Sequence, residues 1–382
     1  MISLFLFVFF IISQRIQLVG TSHYQIREHF PPLVFLPESE SGFRVRASAA
    51  ILIESQSGAV LFSKNPEVRR APASTTKMMT AIVALEKGNL AKIVKVSRRA
   101  AYTRGSSIWL KPGDRLSLKE LMEGMMLRSG NDGSIAVAEG VSGNVKEFVD
   151  LMNIKAKEIG ALNTNFQNPH GLRAPSHYTT TLDLALIARY GLENPGFAKL
   201  VKKKTAILKW IDNQKQVEIK NTNRLLWYLQ GADGVKTGTT NEAGHCLVAS
   251  ATRDGKQLIA VVLNSTDRWG DCARMLEYGF EEFKIITVAR ENHPVCKIPV
   301  KYGTNSEIAL YPRRKLVVVI KNGTEEQVQT HIQIHRQPLS APLGSGQKLG
   351  KIAYSYRGQI VESVDLINHR PIYRKWWGWW WW

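Results

Sequence analysis

Three short motifs hold the residue types that acyl transfer needs. In Ala71-Pro72-Ala73-Ser74-Thr75-Thr76-Lys77 a hydroxyl and an amine stand three residues apart, at the mouth of an apolar-periodic run of Met78, Met79, Ile82, Val83 and Leu85. Gly88 closes that run where a glycine just past a helix end is expected. Residues three apart on a helix share a face, so the Lys77 amine reaches the Ser74 hydroxyl, and the helix N-terminus favours negative charge developing there. That is a nucleophile beside a base. The same spacing recurs at Ser345-Gly346-Gln347-Lys348, in a Gly-rich turn with no apolar helical run behind it, so the meaning of Ser74 rests on its companions. Two follow in order: Ser129-Gly130-Asn131 and Lys236-Thr237-Gly238.

The trio Ser-x-x-Lys, Ser-x-Asn and Lys-Thr-Gly is that of penicillin-binding proteins and class A β-lactamases. With Thr164-Asn165-Phe166-Gln167-Asn168-Pro169-His170-Gly171-Leu172 between the second and third motifs, the chain resembles the D-alanyl-D-alanine carboxypeptidases, the low-molecular-mass penicillin-binding proteins. The resemblance runs from about Ser48 to the C-terminal segment. Gly130, where a β-lactamase of this kind carries Asp, is the version that the carboxypeptidases use.

The resemblance implies a serine peptidase that needs no cofactor and no metal. Ser74 would attack the carbonyl between the two terminal D-alanines of a peptidoglycan stem peptide, and β-lactams would acylate the same hydroxyl. Lys77 would be the base. Its neutral form is favoured by burial and by the nearby positive charge of Lys236, the physical reason to place two lysines in one site. Ser129 would relay the proton to the leaving amine, and Asn131 would hold the substrate amide. Lys236 and Thr237 suit the free terminal carboxylate, with Arg268 a further candidate for that task. Gly238 permits close approach of the substrate backbone, and the amides of Ser74 and Thr239 would form the oxyanion hole. A β-lactamase or D,D-endopeptidase on the same fold is the alternative within the enzyme class. A catalytically silent, wall-binding or nucleic-acid-binding basic protein is the alternative outside it, and three intact motifs argue against that.

The elements that must position these residues are also legible. Ser117-Leu118-Lys119-Glu120 is a capping box, and Leu118, Leu121, Met122 and Met125 mark the buried face of a helix that delivers Ser129 to Asn131 as the turn after its end. Ala49–Glu54 and Ala59–Phe62 read as a hairpin around Ser55 to Gly58. From Gly234 to Leu263 the period becomes that of strands, with turns at 241–244 and 253–256, which puts Lys236 to Gly238 on the first strand of an antiparallel meander. An edge strand beside a cleft can pair with an extended peptide. Thr180 to Asp183 caps a further helix running to Tyr190, and another is expected over 271–282. His170 is a turn residue, to which the resemblance gives an architectural role. His245 points to the opposite strand face from Cys246.

The fold class that follows is α+β: a β-lactamase/transpeptidase-like catalytic domain, an antiparallel sheet flanked by helices, over 46–290, and a small all-β domain over 291–366. Residues 1–45 read as a signal peptide and polar lead, since Ile2 to Ile12 form an apolar run too short to span a bilayer. The chain is therefore expected to be exported and to act outside the cytoplasm, on the outer face of the membrane. Its three cysteines, Cys246, Cys272 and Cys296, have no metal-ligand spacing and read as buried small hydrophobes.

A formal net charge of +19 over 382 residues, with 44% hydrophobic residues, describes a globular protein with a polyanionic neighbour. No zinc-finger spacing or RNA-binding aromatic motif accompanies the basic residues, so nucleic acid is not expected as a partner. Residues 367–382 end the chain with six Trp behind Arg370, Arg374 and Lys375, a composition that suits the headgroup layer of an anionic membrane surface.

Overall fold

A computed structural model describes residues 33–36, 42–212 and 214–376. The apolar run at Ile2 to Ile12 and the tryptophans at Trp377 and Trp379 to Trp382 lie outside the described residues. The sequence and the structure agree on an α+β architecture with an all-β unit at the C-terminal end.

The catalytic unit is built on a six-stranded sheet in the order Val34–Phe35, Ala59–Lys64, Ala49–Glu54, Lys256–Leu263, Gly244–Arg253, Ala232–Thr240. Its inner strands read as unbroken apolar runs because both faces are covered. Ile51, Ile53, Ile259 and Val261 pack on the helices that carry the motifs, while Ala50, Leu52, Leu258 and Ala260 pack on Cys272, Met275 and Leu276 of the helix Arg268–Glu282. The strand that bears the third motif, Ala232–Thr240, is an edge, paired among the described residues only with Gly244–Arg253.

Four helices surround the site. Ser117 accepts from the Glu120 amide while Glu120 reaches back to the Ser117 amide, so the capping box starts Leu118–Leu127 as the sequence indicates. Asn131 opens the next helix, Asn131–Ser142, which leaves only Arg128 to Gly130 as the turn. Thr180 caps Thr181–Glu193 through the Asp183 amide. The helix of the first motif, Lys77–Lys87, is preceded by a tight 3₁₀ turn, Ala73–Thr76. Gly88 ends it in extended conformation (φ −94°, ψ 155°), not the left-handed one. Its missing side chain matters for another reason, since a Cβ there would meet Ala84 O and Leu118 Cδ2 at 2.6 Å.

The second unit is all-β, with its own core around Leu310, Leu316, Ile320, Ile352, Tyr356 and Leu366. The strand Phe283–Ala289, left in the catalytic domain by a boundary at 290, pairs with Leu316–Lys321 of this unit. Residues 367–375, read as part of the tail, are seated in it as well: Ile372 is buried and bridges Leu343, and Arg374 bridges Gly303. Both differences come from pairing between segments distant in sequence, which local pattern does not show. Cys246 and Cys272 are buried as expected, while Cys296 is only half-buried.

Candidate active site

The first motif owes its geometry to the 3₁₀ turn. In such a turn residues i and i+3 eclipse one another, so Ser74 and Lys77 stack along one line, with Lys77 Nζ 2.9 Å from Ser74 Oγ. Ala73, just before Ser74, is held at φ +48°, and Ser129 in the second motif is held at φ +65°, both in the left-handed region that non-glycine residues rarely occupy. Backbone held this way tends to sit where function over-determines it.

Lys77 is fully buried, and two further partners hold its amine: Asn131 Oδ1 at 2.7 Å and the His170 carbonyl at 2.7 Å. These two oxygens can only accept. A neutral amine has two N–H bonds and one lone pair, so donating to both carbonyls leaves the lone pair facing the Ser74 hydroxyl. Burial pushes the Lys77 pKa well below its ordinary value and the charge of Lys236 adds to that, while Asp132 opposes it. Lys236 is also buried. Desolvation, helped by the charge of Arg268, lowers it to about 7.

Asn131 and Asp132 pin a loop against this site. Asn131 Nδ2 donates to the Arg104 carbonyl and its amide to that of Ser106, both at 2.7 Å. The Asp132 carboxylate accepts from Ser107 Oγ at 2.6 Å, from the Ile108 and Leu110 amides at 3.0 and 3.1 Å, and from the Gly133 amide at 2.8 Å. Ser129 is buried in the turn between two helices, and its hydroxyl has no hydrogen-bond partner among the described residues.

On the other side, the edge strand lies against the turn that carries Ser74. A Cβ on Gly238 would stand 3.1 Å from the Ser74 amide nitrogen, from Ala73 Cβ and from Pro72 O, so a side chain there would crowd strand and turn, and glycine suits the close approach. Gly171 does the same from a third direction. At φ +91°, a Cβ there would overlap Ala73 O, and this is what the Asn168 to Leu172 turn is for. Thr237 Oγ1 contacts Thr222 Oγ1 at 2.8 Å. Arg268 Nη1 donates to Gly238 O at 2.9 Å and to Thr239 Oγ1 at 2.7 Å, so this guanidinium braces the end of the motif strand.

Ser74, Lys77 and Asn131 are thus in direct contact, Lys236 is close enough to act on Lys77 by charge, and Gly238 abuts Ser74. Ser129 touches none of them through a hydrogen bond, and Arg268 reaches Thr239 rather than Thr237. Three residues escaped sequence reasoning: Asp132, Thr222 and His177. Gln167 N donates to His177 Nδ1 at 3.0 Å, so the other nitrogen carries the proton and donates to Thr76 Oγ1 at 2.9 Å, fixing the tautomer. Burial, then the charge of Lys77, lowers His177 to about 4, which keeps it neutral. Asp132 had a signal, an acid in the first turn of the helix that Asn131 opens; Thr222 and His177 had none. Cys246 lies behind Gly238 in the sheet register, but burial raises its thiol to about 11, far from a thiolate nucleophile.

Comparison with known proteins gives the family of the chain. Residues 37–267 match the family model described as D-alanyl-D-alanine carboxypeptidase, and residues 283–374 match that of the penicillin-binding protein 5 C-terminal domain. The D-alanyl-D-alanine carboxypeptidase DacF of Bacillus subtilis is 37% identical over 324 residues, covering 82% of this chain and 83% of that one. DacC of Escherichia coli is 36% identical over 355 residues, covering 88% and 87%. Among solved structures, penicillin binding protein 5 from Haemophilus influenzae superposes with a TM-score of 0.79 at 30% identity, covering 88% of this chain and all of that one.

Proposed function

The chain belongs to the D-alanyl-D-alanine carboxypeptidase family, and from that premise we propose how its residues divide the work of a serine-type D-Ala-D-Ala carboxypeptidase. Ser74 Oγ attacks the carbonyl carbon between the two terminal D-alanines, giving its proton to Lys77 Nζ. The oxyanion is taken by the amides of Ser74 and Thr239. As the C–N bond breaks, the proton passes from Lys77 through the Ser129 hydroxyl to the amine of the departing D-alanine. Water then hydrolyses the acyl ester, with Lys77 again as base. Asn131 holds the substrate amide. Lys236, Thr237 and Arg268 hold the terminal carboxylate.

The observation that supports this reading most is the Lys77 amine, buried and held by two obligate acceptors with its third direction on Ser74. The test is release of D-alanine from a pentapeptide ending in D-Ala-D-Ala. The intact protein should release it and Ser74→Ala should not, with the fold unchanged because only a half-buried hydroxyl is lost. Release by the variant at the normal rate would overturn the nucleophile assignment.

The substrate is a peptidoglycan stem peptide, and β-lactams acylate Ser74 as substrate mimics. A peptidoglycan substrate would be met outside the cytoplasm. Among the described residues no helix is long and apolar enough to cross a membrane. Attachment would instead come from the Trp-rich tail: Arg370, Arg374 and Lys375 are exposed and Trp376 is 95% exposed, chemistry suited to an anionic leaflet. Because residues up to 375 belong to the all-β unit, truncation after Lys375 is the clean test. It should release the protein from anionic vesicles; equal sedimentation of both forms would exclude the tail.

A further inference from the structure

The loop that Asn131 and Asp132 pin beside the nucleophile carries more positive charge than release of D-alanine requires. Arg104 offers its backbone to Asn131 and leaves its guanidinium exposed at the rim. The adjoining Gly105 sits so close to the cleft wall that a Cβ would meet Asn131 Nδ2 at 2.6 Å and Leu172 Cδ2 at 3.7 Å. Arg128 immediately precedes Ser129, and its guanidinium lies over the Trp109 ring, 5.6 Å from the centroid. Trp109 is itself 59% exposed at φ +59°, a left-handed conformation on a loop otherwise fastened at Ile108 and Leu110. Arg99 is close enough for its charge to add, after burial, Lys77 and His177, to the suppression of His170 to about 3.

None of Arg99, Arg104 and Arg128 stands in an ion pair among the described residues, and several carboxylates of this domain are engaged by other partners. Asp132 accepts four hydrogen bonds from its own loop and helix, Asp114 accepts from Trp210 Nε1, Glu123 pairs with Lys203 and Glu242 with Arg173. A rim of cations with an exposed indole and no acidic counterpart, contiguous with a catalytic asparagine, is complementary to negative charge on whatever lies in the cleft.

We propose that Arg104 and Arg128, with Trp109 as the platform for Arg128, form a subsite for an acidic peptide, so that the enzyme prefers donors with a free carboxylate on the residues N-terminal to the D-alanine pair. This rests on the carboxypeptidase reading and names the class of stem peptide that the same site takes. The contiguity with Asn131 favours a peptide in the cleft over a membrane or a wall polymer, whose attraction to the rim would not distinguish one short peptide from another. Arg268 and Lys236 serve the terminal carboxylate common to all such donors, so the rim discriminates on a different group.

The experiment compares two synthetic peptides ending in D-Ala-D-Ala, identical except that one carries a glutamate side chain upstream of the pair and the other the corresponding glutamine. The intact protein should turn over the acidic peptide with a kcat/KM higher by roughly tenfold at low salt, mostly through KM, and the preference should shrink as ionic strength rises. Arg104→Gln and Arg128→Gln should each erode it and together abolish it. Turnover of the glutamine peptide and acylation by penicillin should be unchanged, which also shows that the variants are folded. Equal turnover of both peptides by the intact protein, or a preference that survives in the double variant, overturns the subsite. Release of D-alanine from neither peptide, with no penicillin adduct, would instead overturn the carboxypeptidase reading on which the subsite depends.

Discussion

The chain contains the Ser-x-x-Lys spacing twice, and the two copies have opposite fates. At Ser74 and Lys77 the spacing lies on a 3₁₀ turn entering a helix, the side chains are 2.9 Å apart, and the lysine is sealed among obligate acceptors. At Ser345 and Lys348 it lies on a turn entering the strand Lys348–Tyr356. Ser345 donates to the His369 carbonyl at 2.9 Å, and Lys348, half-exposed, pairs with Asp365 at 2.8 Å. The same two side chains are in one place arranged as the nucleophile and base we propose, and in the other make two ordinary surface contacts. What separates them is the eclipsed geometry that brings the groups together and the burial that makes neutral lysine accessible.

The comparison can be broken most severely at the lysines. Lys77→Ala should slow acylation by penicillin by about a hundredfold to ten-thousandfold, the usual contribution of a positioned base. Lys348→Ala should leave acylation unchanged and cost at most about 1 kcal/mol of stability, as exposed ion pairs do. Stopped-flow acylation and chemical denaturation of the two variants measure both. Near-normal acylation in Lys77→Ala would move the base elsewhere.

A second cut sharpens the role of the neighbouring lysine. Lys236→Ala should reduce kcat/KM for a peptide with a free C-terminal carboxylate by roughly ten- to a hundredfold, the range expected when a buried site is deprived of a charge-assisted hydrogen bond. The same peptide with its terminus amidated should lose much less. An equal loss on both would show that Lys236 acts on Lys77 and not on substrate charge.

The smallest effect is on stability against pH. Burial lowers Lys236 to about 7 and lowers Lys77 as well, whereas both titrate near about 10.4 in the unfolded chain. Between about 7 and about 10 the unfolded state therefore binds more protons than the native state, so stability rises with pH across that window and falls as pH drops through it. Denaturant midpoints at the two ends of the window should show the rise, and Lys236→Met should flatten it. A rise of the same size in Lys236→Met would mean that other groups drive it.

The sequence made much of this site legible because its parts are local. Ser74 and Lys77 share one turn, the capping box at Ser117 places Ser129, and the alternation from Gly234 onward puts Lys236 and Gly238 on one strand. What stayed hidden depends on contacts between distant segments. His177 fixes the nucleophile turn from 101 residues away, and Thr222 meets Thr237 on the side of the edge strand where, among the described residues, no further strand pairs. The unit boundary escaped for a similar reason, since Phe283–Ala289 looks like any strand until it pairs with Leu316–Lys321.

The most direct measurement is the location of the penicillin adduct. After incubation with a β-lactam, denaturation and tryptic digestion, the added mass should fall on the peptide running from Ala71 to Lys77, with none in Ser74→Ala. An adduct on the peptide from Gln337 to Lys348, which carries Ser345, or one that persists elsewhere in Ser74→Ala, would contradict the claim that the eclipsed turn and the buried lysine make the nucleophile.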